Sequence, residues 1–164
     1  MRQPPIRLAA ALALVLLAAC TTTATLPAAI NARLDQPGAV LDATAAIDLI
    51  NQYRAASGVA PLVIDPTLNA AAASAAAVYA GATDIEAGRV RLGPIGDRVD
   101  GDVEATEKVS AGHATFGEAF SGWRNNPNDA GALTAPWASR AGIGVIYDPN
   151  SGFGTYFVLI LAAS

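Results

Sequence analysis

The sequence predicts an α+β domain in which helices precede a small antiparallel sheet, and three observations carry that expectation. Ala46, Leu49, Ile50 and Tyr53, and again Phe116, Ala119, Phe120 and Trp123, fall at i, i+3, i+4 and i+7, the spacing that gathers four side chains on one helix face. Two β-rich runs, 141–147 and 155–162, flank the turn-forming stretch 148–154 as in a long hairpin. The second run is apolar on both of its faces, so it should be central, with a layer packed on each side.

Taken in order, residues 1–19 read as an export signal. Arg2 and Arg7 precede an unbroken apolar run over 8–17, which is too short to span a bilayer well. Leu17-Ala18-Ala19-Cys20 then resembles the bacterial lipobox, which implies cleavage before Cys20 and attachment of lipid (diacylglycerol, palmitate) to it. Multiple acyl chains make such anchoring stable where one would be marginal. Cys20 is the sole cysteine, so no intrachain disulfide can form and the domain must be held together by burial. Thr21 stands where a Gram-negative inner-membrane retention signal commonly has aspartate, which implies outer-membrane delivery in such a host. Residues 20–40, rich in threonine with Pro27, Pro37 and Gly38, read as a tether, leaving 41–164 as the domain. Without Arg2 and Arg7 the chain keeps eight basic against fourteen acidic residues, a balance of −6. That leaves no basic face for phosphate backbones, and nucleic acid is excluded as a partner.

Asp42 is placed to cap the first helix, which Gly58 stops, with Asn51, Gln52 and Arg54 expected to face outward. A short extended link, 59–64, leads to Asp65-Pro66, an N-cap followed by proline at the first helical position. The second helix runs to about Ala80 and is rich in alanine, which permits close approach of neighbouring backbones. Residues 84–104, with Gly88, Gly93, Pro94 and Gly96 among alternating acids and arginines, read as a long irregular loop with one helical turn at 85–90. A further loop carries Glu107 and the only histidine, His113. Thr115 and Glu118 form the T-x-x-E capping box of the aromatic helix, which Asn125, Asn126 and Pro127 end. Trp123 reads as core; Trp137 suits either core or a partly exposed ligand platform.

Glu107-Lys108-Val109-Ser110-Ala111-Gly112, followed by the helix ending in Gly122-Trp123-Arg124-Asn125-Asn126-Pro127, is similar to the bacterial CAP (SCP-like) domain. There the pattern is G-E-N-hydrophobic-A/S-x-G, a short helix, and G-W-x-x-S-P-x-H. The stretch 49–62, L-I-N-Q-Y-R-A-A-S-G-V-A-P-L, looks like that family's first helix and following turn, and Gly142-Ile143-Gly144-Val145 like its glycine-rich strand. The resemblance covers 43–164 and implies a three-layer α-β-α sandwich of divergent, bacterial lipoprotein type.

In that family two histidines and two glutamates converge in a cleft and can hold a divalent metal. Glu107 matches the first glutamate. No histidine precedes His113, the second glutamate falls near Asn126, and the second histidine aligns with Asp129. Such a set is too small to fix a tetrahedral zinc site, so no metal or other cofactor is expected. Glu107, His113 and Asp129 are the candidate cleft residues. Ser110 and Ser121 lie near His113, but there is no G-x-S-x-G elbow, and no catalytic residue is assigned. The expectation is an exported, lipid-anchored, non-catalytic module of the cell envelope, binding a small apolar ligand or an envelope protein. The alternative is a metal- or carboxylate-dependent hydrolase of peptide or wall material, with Glu107 as base and His113 as its orienter.

Overall fold

A computed structural model describes residues 28–99, 101 and 103–164. The expected export signal, Cys20 and the threonine-rich start of the expected tether lie outside the described residues. The chain enters with a 3-10 turn, Ala28–Asn31, and continues through α1 (Ala43–Ala56), β1 (Val63–Ile64), α2 (Pro66–Ala80), α3 (Ile85–Leu92), β2 (Ala105–Ala111), α4 (Phe116–Asn125), α5 (Pro127–Leu133), β3 (Arg140–Tyr147) and β4 (Thr155–Ala162). The four strands form one sheet in the order β1-β3-β4-β2. β1 runs parallel to β3, whereas β3 and β2 pair antiparallel with β4 on either side.

Every residue of β4 is buried, as its doubly apolar pattern requires. Phe157, Leu159 and Leu161 face a layer built from α1, α4 and the entering segment; Tyr156, Val158, Ile160 and Ala162 face α2 and α3. The α-β-α sandwich follows from that alternation. The expected caps are present: the Asp42 carboxylate accepts from Ala45 N, and that of Asp65 from Thr67 N and Leu68 N. In the capping box, Thr115 Oγ1 accepts from Glu118 N while the Glu118 carboxylate accepts from Thr115 N.

Five expectations need correction. Residues 28–40 are not tether: Ile30 and Leu34 are buried against α4 and α1, and Leu34 N donates to Ala114 O at 2.7 Å, so the domain begins by residue 28. The irregular loop holds a two-turn helix, α3, capped by Asp84. The stretch bearing Glu107 is the strand β2, whose Ala105, Val109 and Ala111 pack toward α2 while Thr106, Lys108 and Ser110 take the opposite face. The asparagines after Trp123 end one helix and start another, because Asn126 caps α5 with Pro127 at its first position. Arg54 points inward rather than outward and is completely buried.

Candidate functional site

Glu107 sits in the middle of β2, opposite Ile160 of β4, and shares with it the sheet face that α2 covers. Two groups converge on its carboxylate. Tyr79, in the last turn of α2, donates its hydroxyl to Oε1 at 2.6 Å, and Arg98 Nη1 donates to Oε2 at 2.5 Å. The two side chains of the ion pair are only 17% and 10% exposed, so water screens this pair less than a surface one. Gly88 of α3 makes room for the arrangement. A Cβ there would lie 2.4 Å from Tyr79 Cδ1, so only glycine lets α3 press against the phenol ring and hold it over the strand.

Burial, followed by the hydrogen bond to Glu107, pushes the Tyr79 phenol up from 10 to about 12. A phenol whose pKa is higher in the folded than in the unfolded chain stabilises the fold fully below pH 10, and that contribution is lost as pH rises toward about 12. Urea midpoints measured across this window should therefore fall with pH in the native protein. In Tyr79→Phe that component of the fall should be absent. An unchanged slope would detach Tyr79 from Glu107.

Beside this network opens a cavity of about 440 Å³, walled by Arg89, Arg98 and Glu107 on its polar side and by Val90, Pro94 and Ile95 on its apolar side. Its volume lies in the range of small-ligand sites, as does the mixture of apolar wall and a few convergent polar groups. Among the described residues, Arg98 Nε is a buried donor with no partner.

The other two candidate residues lie across the sheet. His113 follows β2, with Nδ1 2.8 Å from Ser110 Oγ. The ring lies against Gly122 of α4, where a Cβ would stand in ordinary contact, 3.7 Å from His113 Cε1. Asp129 of α5 pairs with Lys108 Nζ at 3.1 Å. Ser110 and Lys108 belong to the strand face opposite Glu107, because successive side chains of a strand point to opposite sides. The expected shared cleft of Glu107, His113 and Asp129 is therefore not formed; β2 itself stands between the first residue and the other two.

A divalent metal also fits these residues poorly. The carboxylate that the family pattern would offer to a cation already accepts from a guanidinium and a phenol, and Asp129 is engaged by Lys108. No cluster of three or more His, Cys, Asp or Glu occurs among the described residues. The sequence did not reveal Tyr79 and Arg98 as partners of Glu107. Arg98 was visible only as one of several arginines, and Tyr79 only as part of a packing helix.

No curated protein matches the chain in sequence. Among solved structures it is similar to an extracellular protein containing an SCP domain from Bacillus anthracis str. Ames, with 21% identity over 74% of this chain and 40% of that one, at a TM-score of 0.62. It is similar also to an outer surface protein of Borrelia burgdorferi, with 17% identity over 71% and 88% and a TM-score of 0.58. A third is a cysteine-rich secretory protein from Staphylococcus aureus subsp. aureus Mu50, with 17% identity over 77% and 40% and a TM-score of 0.57. The chain thus spans 40% of the Bacillus and Staphylococcus chains but most of the Borrelia one. At these identities the likeness establishes the fold. The family model described as CAP, the cysteine-rich secretory protein family, matches residues 47–161. That match takes in well over half of the sequence, so the chain belongs to the CAP family, as a member whose one cysteine, Cys20, lies outside the matched region.

Proposed function

We propose that this is an exported, lipid-anchored CAP-domain protein of the cell envelope that binds a small apolar ligand or an envelope partner and catalyses no reaction. The observation that carries this reading is the state of Glu107. Both of its oxygens accept strong hydrogen bonds from within the fold, beside a cavity whose remaining wall mixes Arg89 and Thr106 with the apolar Val90, Pro94 and Ile95. A general base must lie within hydrogen-bond reach of the proton it takes, and the Glu107 oxygens are instead aimed at Tyr79 and Arg98. Here the carboxylate serves to order Tyr79 and Arg98, and the cavity is left for binding. Export and anchoring draw support from the apolar run over 8–17 and the Leu17-Ala18-Ala19-Cys20 step. Support comes too from similarity in fold to proteins described as extracellular or as outer surface.

The cavity combines two guanidinium groups with an apolar wall, so an apolar anion is a suitable probe. Titration with 1-anilinonaphthalene-8-sulfonate should show saturable fluorescence at one site per chain. Val90→Glu, at an exposed position on the cavity wall, should weaken that binding at least tenfold without loss of folding. Equal binding by the variant would remove the cavity as the site. In parallel, saturating zinc should leave the melting temperature unchanged. A rise of several degrees would favour the metal-dependent hydrolase, since a ligand that binds only the folded state must stabilise it.

A further inference from the structure

We propose that the end of the domain bearing Phe153 docks on the lipid surface to which Cys20 tethers it, an inference that rests on the lipid-anchor reading above. Three contacts place the point of entry of the chain and this ring at the same end of the sheet. Leu34 N donates to Ala114 O, while Gly117 lies against Asn31 and Ile30, so the entering segment runs beside the start of α4. Two residues before Ala114, a Cβ on Gly112 would stand 3.8 Å from Phe153 Cδ1. The hairpin between β3 and β4 therefore reaches the side from which the tether arrives.

Phe153 is 53% exposed, an unusual state for a phenylalanine in a chain whose other aromatic rings are buried or partly covered. The ring is nonetheless held in place. It packs edge-on against Tyr156 with centroids 6.0 Å apart, and its own amide donates to the Tyr156 hydroxyl at 3.3 Å. Pro149, Asn150 and Gly152 beside it are also exposed. The titratable groups at this end are Asp148, His113, Glu118 and the Arg33–Asp35 pair, with no excess of cations. A zwitterionic headgroup layer suits such a tip, which gains by burying the ring at the interface and not by attraction to anionic lipid.

Tether length makes this weak contact effective. Only residues 21–27 separate Cys20 from the first described residue. At about 3.5 Å per residue they reach roughly 25 Å, shorter than the diameter of a domain of this size. An anchored domain thus keeps its entry end near the membrane, at an effective concentration in the millimolar range.

The test uses the full, processed chain in phosphatidylcholine vesicles that carry a spin-labelled quencher near the headgroups. Lipidation consumes Cys20, so an introduced cysteine is the only thiol available for a fluorophore. A label at Asn150→Cys should be quenched several-fold more than one at Ser164→Cys, at the far end of the same strand pair. Adding Phe153→Ser to N150C should abolish the difference, with circular dichroism unchanged. Vesicle flotation reports the anchor separately. Protein that floats but shows equal quenching at the two sites, or no response to Phe153→Ser, overturns docking and leaves the anchor intact. Protein that does not float overturns both.

Discussion

Arg54→Ala is expected to lower folding stability by about 4 kcal/mol, or about 12 °C in melting temperature for a domain of this size. The guanidinium is fully buried and faces backbone carbonyls only. Nε donates to Ala60 O at 2.7 Å, Nη1 to Leu133 O at 2.8 Å and to Ala135 O at 3.1 Å, and Nη2 to Ala138 O at 2.9 Å. Burial holds its pKa below the usual arginine value. It nevertheless closes α5, whose last turn has no basic residue of its own, and fastens the segment joining α5 to β3 onto α1. A cation at a helix C-terminus meets the negative end of the helix dipole. Removing it leaves the carbonyls of Ala60, Leu133 and Ala138 unpaired, while Ala135 O keeps the Ala138 amide; each unpaired carbonyl is worth about 1–3 kcal/mol if dry, less whatever water recovers. Arg54→Lys keeps the charge but offers donors from one point to acceptors spread along a fork, and should lose about half as much. Urea unfolding of both variants checks this. A loss below about 1 kcal/mol for Arg54→Ala would mean that water reaches these carbonyls freely.

Arg54 also shows where sequence reasoning stops. Its charge argued for solvent, yet it falls at i+4 from Ile50 and i+7 from Ile47, on the stripe that the helix buries. What satisfies it lies 79 to 84 residues away in three of its four bonds, beyond any local pattern. Glu107 failed in the same way. Alternation along β2 was present in Ala105, Val109 and Ala111, but a charged residue on the apolar face concealed the strand, and its partners come from α2 and from the segment after α3. By contrast the caps at Asp42, Asp65 and Thr115 were legible because both partners lie within three residues. The central place of β4 was legible too, because its side chains on both faces are apolar. Short-range chemistry and binary pattern therefore yielded the layers, while the site, assembled from three separated segments, did not emerge from them.

Gly142→Ala and Gly144→Ala should each cost about 3 kcal/mol, and the double variant should fail to fold. α2 lies so close to β3 that a Cβ on Gly142 would stand 2.1 Å from Leu68 C and 2.3 Å from Asn69 N, and one on Gly144 2.3 Å from Ala73 N. The atoms met are backbone, so no rotamer change relieves the overlap; α2 would have to lift from the sheet. Alanines at 72, 75 and 76 on the helix side complete the close approach, and Asn69 Oδ1 exploits it by accepting from Ile143 N at 2.8 Å. The consequence reaches the site because Tyr79 sits at the far end of the same helix. If Gly144→Ala folds at reduced temperature, lifting α2 should weaken the 2.6 Å contact between Tyr79 and Glu107, and the pH-dependent loss of stability above pH 10 should shrink with it. A Gly144→Ala protein with native stability would show that the helix and strand are free to separate, and that the order of the site does not depend on their contact.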